Sequence, residues 1–406
     1  MPPDAAACTR AARPPRAATP PRIYAASVLA LFHGLLLFGL VNLLAWCYLE
    51  ARPTDPITLT YGRRPFGLVY PGRSEAEVRE LLRETWNRPS GWAPFVDVRE
   101  RRHRGRFVNI HSVGFRLSHA QGPWLPDPAR SVFVFGGSTT FGYGVADDET
   151  IVSALQDYLD RHAPPPRVSC YNFGSGAYYS SEERVLLQEL LVSGAVPRVV
   201  VFVDGMNEFA FAEPLLSQRL RRAVRAPVAS ALATVVEELP QTRLVARSKV
   251  EGRRPRRTVA QLRAAYGDPA RLDARIERYL ANRRLITAVA SAWGARPLFV
   301  WQPVPTYEYD LRCHLFGDVD FERNNYSAFG YLRMAERLRR QPLGSDFLWQ
   351  ADLQQGVCQP LYVDQIHYTA AMSRLIGGEI GRALIERGRL GEAAPPSSVQ
   401  PLAEAQ

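Results

Sequence analysis

Apolar and polar positions fall into three regimes along this chain. Residues 23–49 are apolar without period, interrupted by His33, Asn42 and a few small or aromatic residues. That length exceeds the roughly 20 residues needed to cross a bilayer. From residue 50 to 125 the pattern is mixed. Ser74 precedes an apolar stripe of Val78, Leu81 and Leu82, with Glu77 three residues on, which predicts a capped amphipathic helix over 74–86. Residues 107–110 and 113–116 read as short strands. Beyond about residue 126, short apolar runs at 131–135, 168–171, 198–203 and 297–302 alternate with helical periodicity at 150–161, 180–192, 272–293 and 370–387. Runs as continuous as 198–203 belong to strands buried on both faces. Strands alternating with helices predict a mostly parallel sheet with helices on both faces, a three-layer α/β/α domain.

The apolar run 133–135 stops at Gly136-Gly137 and delivers Ser138. Three later segments lie just past other predicted strands or near the C-terminus: Asn172-Phe173-Gly174-Ser175-Gly176, Asp204-Gly205-Met206-Asn207-Glu208 and Asp364-Gln365-Ile366-His367. Sites in such sheets lie at the carboxyl ends of the strands. A serine hydroxyl needs an adjacent base. His367 supplies one, and Asp364, three residues earlier, can hold its other ring nitrogen. An oxyanion then needs preorganised donors. The Ser138 amide, an amide near Gly174 or Gly176 and the Asn207 side chain suit that role. Each segment alone is ordinary: a Gly-Gly-Ser turn, loop glycines, a turn-forming asparagine, a satisfied histidine. Their order along one chain is what points to serine-based acyl chemistry.

This pattern resembles the SGNH hydrolases, the GDSL-like esterase and lipase superfamily. The matching blocks are Gly136 to Thr140, Asn172 to Gly176, Gly205-Met206-Asn207-Glu208 and Asp364 to His367, and the resemblance spans about residues 130–390. It implies a flavodoxin-like α/β/α fold, with Ser138 as nucleophile, His367 as base and Asp364 as its orienter. It also implies an oxyanion hole from Asn207 and a block-two amide. Two departures stand out. Glu208 replaces the usual Asp of block three. The usual spacing of block two falls on Ala177, whereas the nearest glycine is Gly176; Gly174 is the other alternative.

Charge enters next. The 406 residues carry a net charge of +10, with 46% hydrophobic and 22% charged residues, the balance of a globular protein. Such basicity suits an anionic polymer or membrane surface. No nucleic-acid-binding motif accompanies it, so no nucleic-acid partner is expected. A cleaved leader would have an apolar core of only 7 to 15 residues or so and a small-residue cleavage site. The stretch 23–49 is longer, and Trp46 is too bulky for a lipoprotein-type site at Cys47. A retained anchor is expected. Arg10, Arg13, Arg16 and Arg22 precede it against Asp4 alone, which places the N-terminus in the cytoplasm and the domain outside.

The expected organisation is a disordered tail (1–22), a transmembrane helix (23–49), a juxtamembrane segment (50–125), a hydrolase domain (126–390) and a disordered tail (391–406). A long insertion at about 209–295 holds two arginine runs, 219–222 and 253–257, and reads as a solvated face, with a lid or anionic-surface contact as the sharper alternative. Trp301, Tyr307, Tyr309, Phe316 and Tyr326 could line a sugar cleft or fill the core. Asp147-Asp148-Glu149 reads as a cap for the helix at Ile151. Of five cysteines, Cys313 and Cys358 flank the approach to Asp364, and a disulfide there would brace it. Neither a metal nor a cofactor is expected. The function expected is hydrolysis of O-acyl esters, acetyl on a carbohydrate being the resemblance's suggestion. The alternatives are O-acetyl transfer to a cell-envelope or exported polysaccharide, and a non-catalytic polysaccharide scaffold.

Overall fold

The structure, a computed structural model, describes residues 20–51, 55–63, 65–88, 90–93, 95–250 and 255–391. Residues 1–19 and 392–406, where tails are expected, lie outside them, as do Cys8, Arg253 and Arg254. The chain divides into two units. The first is the helix Pro20–Ala51 with residues 233–247. Leu31, Leu35 and Leu37 stand exposed along that helix, which is long and apolar enough to cross a membrane. His33 and Asn42 serve the helix's own carbonyls: His33 Nδ1 bonds Leu29 O at 2.7 Å, and Asn42 Nδ2 donates to Phe38 O at 2.9 Å. The Asn42 carbonyl oxygen accepts from Gln241 N at 3.4 Å. The insertion read as one stretch from 209 to 295 is therefore split between the two units.

The second unit is built on a five-stranded parallel sheet. Four short strands come first: β1 (Ser90–Ala93) pairs antiparallel with β2 (Asp97–Glu100), and β3 (His103–Arg104) with β4 (Asn109–Ile110). The main strands are β5 (Ser131–Gly136), β6 (Ser169–Gly174), β7 (Val199–Asp204), β8 (Arg296–Trp301) and β9 (Phe347–Trp349). Their spatial order is β6-β5-β7-β8-β9, all parallel. The order reverses at β5, so the switch point, where open sheets place their sites, lies at its carboxyl end.

Alternation along the strands sorts the two faces by side-chain type. Val132, Val134, Val201, Leu298 and Val300 meet the helices Ile151–His162 and Ala370–Glu386 through Leu155, Ile376 and Ile380. Phe133, Phe135, Phe202, Phe299 and Trp301 meet the helices Ser180–Val192, Pro269–Ala292 and Tyr326–Arg340 through Leu187, Tyr279 and Met334. One face is aliphatic and the other aromatic. Trp301 is fully buried in the aromatic face, Tyr309 and Phe316 are buried too, and Tyr307 and Tyr326 pack against the core. These rings fill the interior and do not line a sugar cleft.

The segment 55–110 is continuous with this domain. Its helix Glu75–Trp86 has Ser74 as cap and a reciprocal bond from Glu77. Val78, Leu81 and Leu82 pack with Phe107, Phe141, Val145 and Val363 in a third core, which lies against the segments that follow Ser138 and precede Asp364. Asp147 does not cap the helix at Ile151. Thr150 does, accepting from Ser153 N at 3.1 Å, while Asp147 receives Arg116 Nε at 2.8 Å and Asn109 Nδ2 at 2.8 Å. A buried arginine needs a carboxylate more than an already capped helix does. In the second arginine run, Arg257 pairs with buried Asp320 at 2.9 Å.

Cys313 and Cys358 form a disulfide across 45 residues. Closing a loop of that size is worth about 3–4 kcal/mol in the chain-entropy picture. Replacing both cysteines by alanine is expected to lower the unfolding free energy by about 3 kcal/mol, read from denaturant unfolding with midpoint and slope both fitted.

Candidate active site

Strand β5 ends at Gly136, and the chain turns through Gly137 into a single helical turn, Ser138–Phe141. A Cβ on Gly137 would lie 2.3 Å from Asn207 Nδ2, so only glycine lets blocks one and three approach this closely. Gly205 has the same necessity for two reasons: its φ is +135°, and a Cβ there would meet the Tyr331 hydroxyl at 2.2 Å. The sequence-predicted residues therefore converge at the switch point. Ser138 Oγ lies 2.9 Å from His367 Nε2, and His367 Nδ1 lies 2.6 Å from Asp364 Oδ2. Serine and histidine are 229 positions apart in the chain.

A tight turn presents the histidine. Tyr362 bridges Tyr368, and Val363 N donates to His367 O at 2.8 Å. Asp364 sits at the tip, its Oδ1 accepting the amides of Ile366 and His367, each at 2.8 Å. Burial disfavours that carboxylate, but the His367 charge, its hydrogen bond and the two amides outweigh it. The Asp364 pKa lies below its ordinary value.

The donor side is equally specific. The Ser138 amide opens a helical turn, and no acceptor takes it among the described residues. The same holds for the amides of Gly176 and Ala177, the latter at φ +67°. Gly174 is ruled out as a donor, because its amide is committed to the Asn172 side chain at 3.0 Å. Asn207 spends one amide hydrogen on Tyr178 O at 2.7 Å and keeps the other. Serine, two kinds of amide donor, asparagine and a histidine–aspartate pair thus meet at the ends of three adjacent parallel strands. This is the arrangement that the resemblance to the SGNH hydrolases implies.

Solved structures similar to the chain include a G-D-S-L family lipolytic protein from Desulfitobacterium hafniense (11% identity, TM-score 0.33, 63% of this chain and 99% of that one). A lipase/acylhydrolase from Enterococcus faecalis is 12% identical over 66% of this chain and 100% of that one, with a TM-score of 0.33. An acetyl-xylooligosaccharide esterase from Geobacillus is 14% identical over 65% and 94%, with a TM-score of 0.34. No family model and no curated protein matches.

Several supporting residues were not legible in the sequence. Trp86, at the end of a helix read as juxtamembrane, sets its ring edge-on to His367 at 5.9 Å. Tyr143 stacks on His367 at 5.1 Å. Arg88 holds Tyr143 Oη at 2.9 Å while forming a buried two-pronged pair with Glu100 at 2.8 and 2.5 Å. The only signal was the aromatic residue in Gly142-Tyr143-Gly144, just past the serine turn. Glu208, the departure in block three, accepts Ser180 N at 2.7 Å and so ties Asn207's helix to the next one. Below it, burial first, then the charges of Asp204 and Glu208, push Glu183 well above the usual carboxylate range. Among the described residues no group of His, Cys, Asp and Glu is arranged to hold a metal.

Arg116 locks the serine turn. Fully buried, it donates to Phe141 O at 3.0 Å, Gly142 O at 2.7 Å and Val145 O at 2.7 Å, besides Asp147. Arg116→Met is expected to cost about 3–5 kcal/mol, because it takes the cation from Asp147 and the donors from three carbonyls. Denaturant unfolding checks it.

Proposed function

We propose that the protein is a serine ester hydrolase acting on O-acyl esters, acetyl esters of carbohydrate foremost. The observation that carries this reading is the pair of short contacts joining Ser138, His367 and Asp364. In this reading Ser138 Oγ attacks the ester carbonyl carbon while His367 Nε2 takes the hydroxyl proton. Asp364 holds His367 in the tautomer that leaves Nε2 free to accept, and offsets the charge it gains. The oxyanion lies among the Ser138 amide, the Gly176 or Ala177 amide and the Asn207 side chain. Collapse expels the alcohol, which receives the proton from His367, and leaves an acyl-serine. Water, deprotonated by His367, then releases the carboxylic acid.

A second reading, acyl transfer to a polysaccharide hydroxyl, has one observation in its favour. Trp86 and Tyr143 pack on His367, whose side chain is only 11% exposed, so a sugar that displaces water there would compete for the acyl group. Acetyl release from a chromogenic acetate, with and without a neutral oligosaccharide acceptor, separates the two. Free acetate at a rate independent of the acceptor supports the hydrolase; acetylated acceptor supports the transferase. No acetyl release under either condition would overturn both.

Asn207→Ala is expected to lower kcat about 10²–10³-fold with little change in KM, as loss of one oxyanion donor does. Steady-state kinetics with the same acetate checks it. The apolar helix serves in this reading as a membrane anchor, with its arginine-rich flank on the cytoplasmic side and the catalytic unit outside.

A further inference from the structure

Strands β3 and β4 form one wall of a cleft of about 520 Å³ that the ester chemistry leaves unused. Arg102, His103, Arg104 and His111 line it, with Asn109 and Ser112. No carboxylate is among its lining residues. Arg102 and Arg104, both exposed, have no acidic partner among the described residues. A neighbouring cleft makes the contrast clear. Its arginines are neutralised, Arg73 by Glu149 at 2.8 Å and Arg106 by Glu77 at 2.6 Å. Asp147, the carboxylate nearest in the hydrogen-bond network, is already taken by Arg116 and the Asn109 side chain. The buried Nε2 of His103 has no hydrogen-bond partner among the described residues. Two guanidinium groups two residues apart in extended chain point to the same side. Left uncompensated, they repel each other.

A planar fork of donors is matched by carboxylate or phosphate oxygens. We propose that this cleft binds an anionic group, carboxylate or phosphate, carried by a glycan whose ester reaches Ser138. The last clause rests on the ester-hydrolase reading; the anion site does not. The two places are linked through β2. Val98 O accepts from Tyr178 Oη at 2.7 Å and from Ser175 Oγ at 3.3 Å, beside the Gly176 and Ala177 amides. Four residues of chain separate Val98 from Arg102, a reach of at most about 14 Å. An oligosaccharide spans that distance, so one charged unit can sit in the cleft while another presents its ester.

The test uses the detergent-solubilised full chain with Ser138→Ala, so that nothing turns over. Trigalacturonate, inorganic phosphate and a neutral trisaccharide are titrated by calorimetry at low salt, with and without Arg102→Ala/Arg104→Ala. The charged trisaccharide is expected to bind at least about 10-fold tighter than the neutral one, corresponding to about 1.4 kcal/mol. The double substitution is expected to remove that difference. Binding of phosphate that also depends on both arginines would extend the site to phosphorylated glycans; no phosphate binding would restrict it to carboxylates. Equal affinity for charged and neutral trisaccharides, or an unchanged preference in the double variant, would overturn the proposal. Chromogenic-acetate turnover by the otherwise native chain is expected to be the same with and without the two substitutions. The esterase reading and the anion site can thus fail separately.

Discussion

Ser138→Ala is expected to lower kcat for acetyl-ester cleavage at least about 10⁴-fold, the scale on which loss of a triad nucleophile acts. The substitution removes the atom 2.9 Å from His367 Nε2 and nothing else in the site. Ser138 Oγ has no other hydrogen-bond partner among the described residues, so the fold loses almost nothing. The melting temperature should therefore stay within about 2 °C, as for a substitution that leaves buried contacts intact. KM should change little, because the oxyanion donors and the cleft remain. A rate loss accompanied by unfolding would reveal a structural role. Unchanged turnover would show that another residue does the chemistry.

Asp364→Asn should come close behind, at about 10⁴-fold in kcat, although its shape is nearly unchanged. The carboxylate accepts from His367 Nδ1, which fixes the proton there and leaves Nε2 able to accept from Ser138. An amide can turn its NH₂ toward Nδ1 and force the proton onto Nε2, the wrong tautomer for a base. Stability should also change its pH dependence. The Asp364 pKa is depressed in the folded state, so its contribution is complete above the unfolded value near 3.9 and is lost as pH falls through the folded value. The stability difference between the native chain and the variant should thus be largest near neutral pH and shrink below about pH 4. Thermal melts across that range check this. A difference that grows in acid would mean that the carboxyl is held protonated.

The parallel strands were legible because burial on both faces makes them continuously apolar, as in Val199–Asp204. The four chemical blocks were legible because each follows such a strand or closes a local turn. Glycine marks where the backbone must pass close, as at Gly137 against Asn207. What was not legible depends on distance in the chain. Trp86 and Arg88 reach His367 and Tyr143 through tertiary packing, and nothing in their local pattern separates them from other residues of an amphipathic helix end. The acidic run 147–149 misled for the same reason. Its local geometry suits a helix cap, but buried Arg116, far off in sequence, claims Asp147. The edge strand Phe347–Trp349 is too short to register as a run, and the amides that compete for the oxyanion role differ only in which acceptor each has found.

The segment after the apolar helix is therefore not a spacer. It supplies Trp86 and Arg88 to the surroundings of His367 and the arginines of the second cleft. A chain truncated near residue 125 would keep Ser138, Asp364 and His367 yet lack the side chains that pack on and brace them. A minimal domain should begin no later than Asp55, which caps the helix Pro56–Tyr61.

The central claim is that Ser138 is the nucleophile. Its most direct test is covalent labelling of the full chain with a nitrophenyl phosphonate, followed by peptide mass spectrometry. One adduct is expected, on Ser138, formed with loss of nitrophenol and suppressed at least about 10³-fold by His367→Ala. An adduct on another residue, or esterase turnover that persists with Ser138 fully labelled, would contradict it.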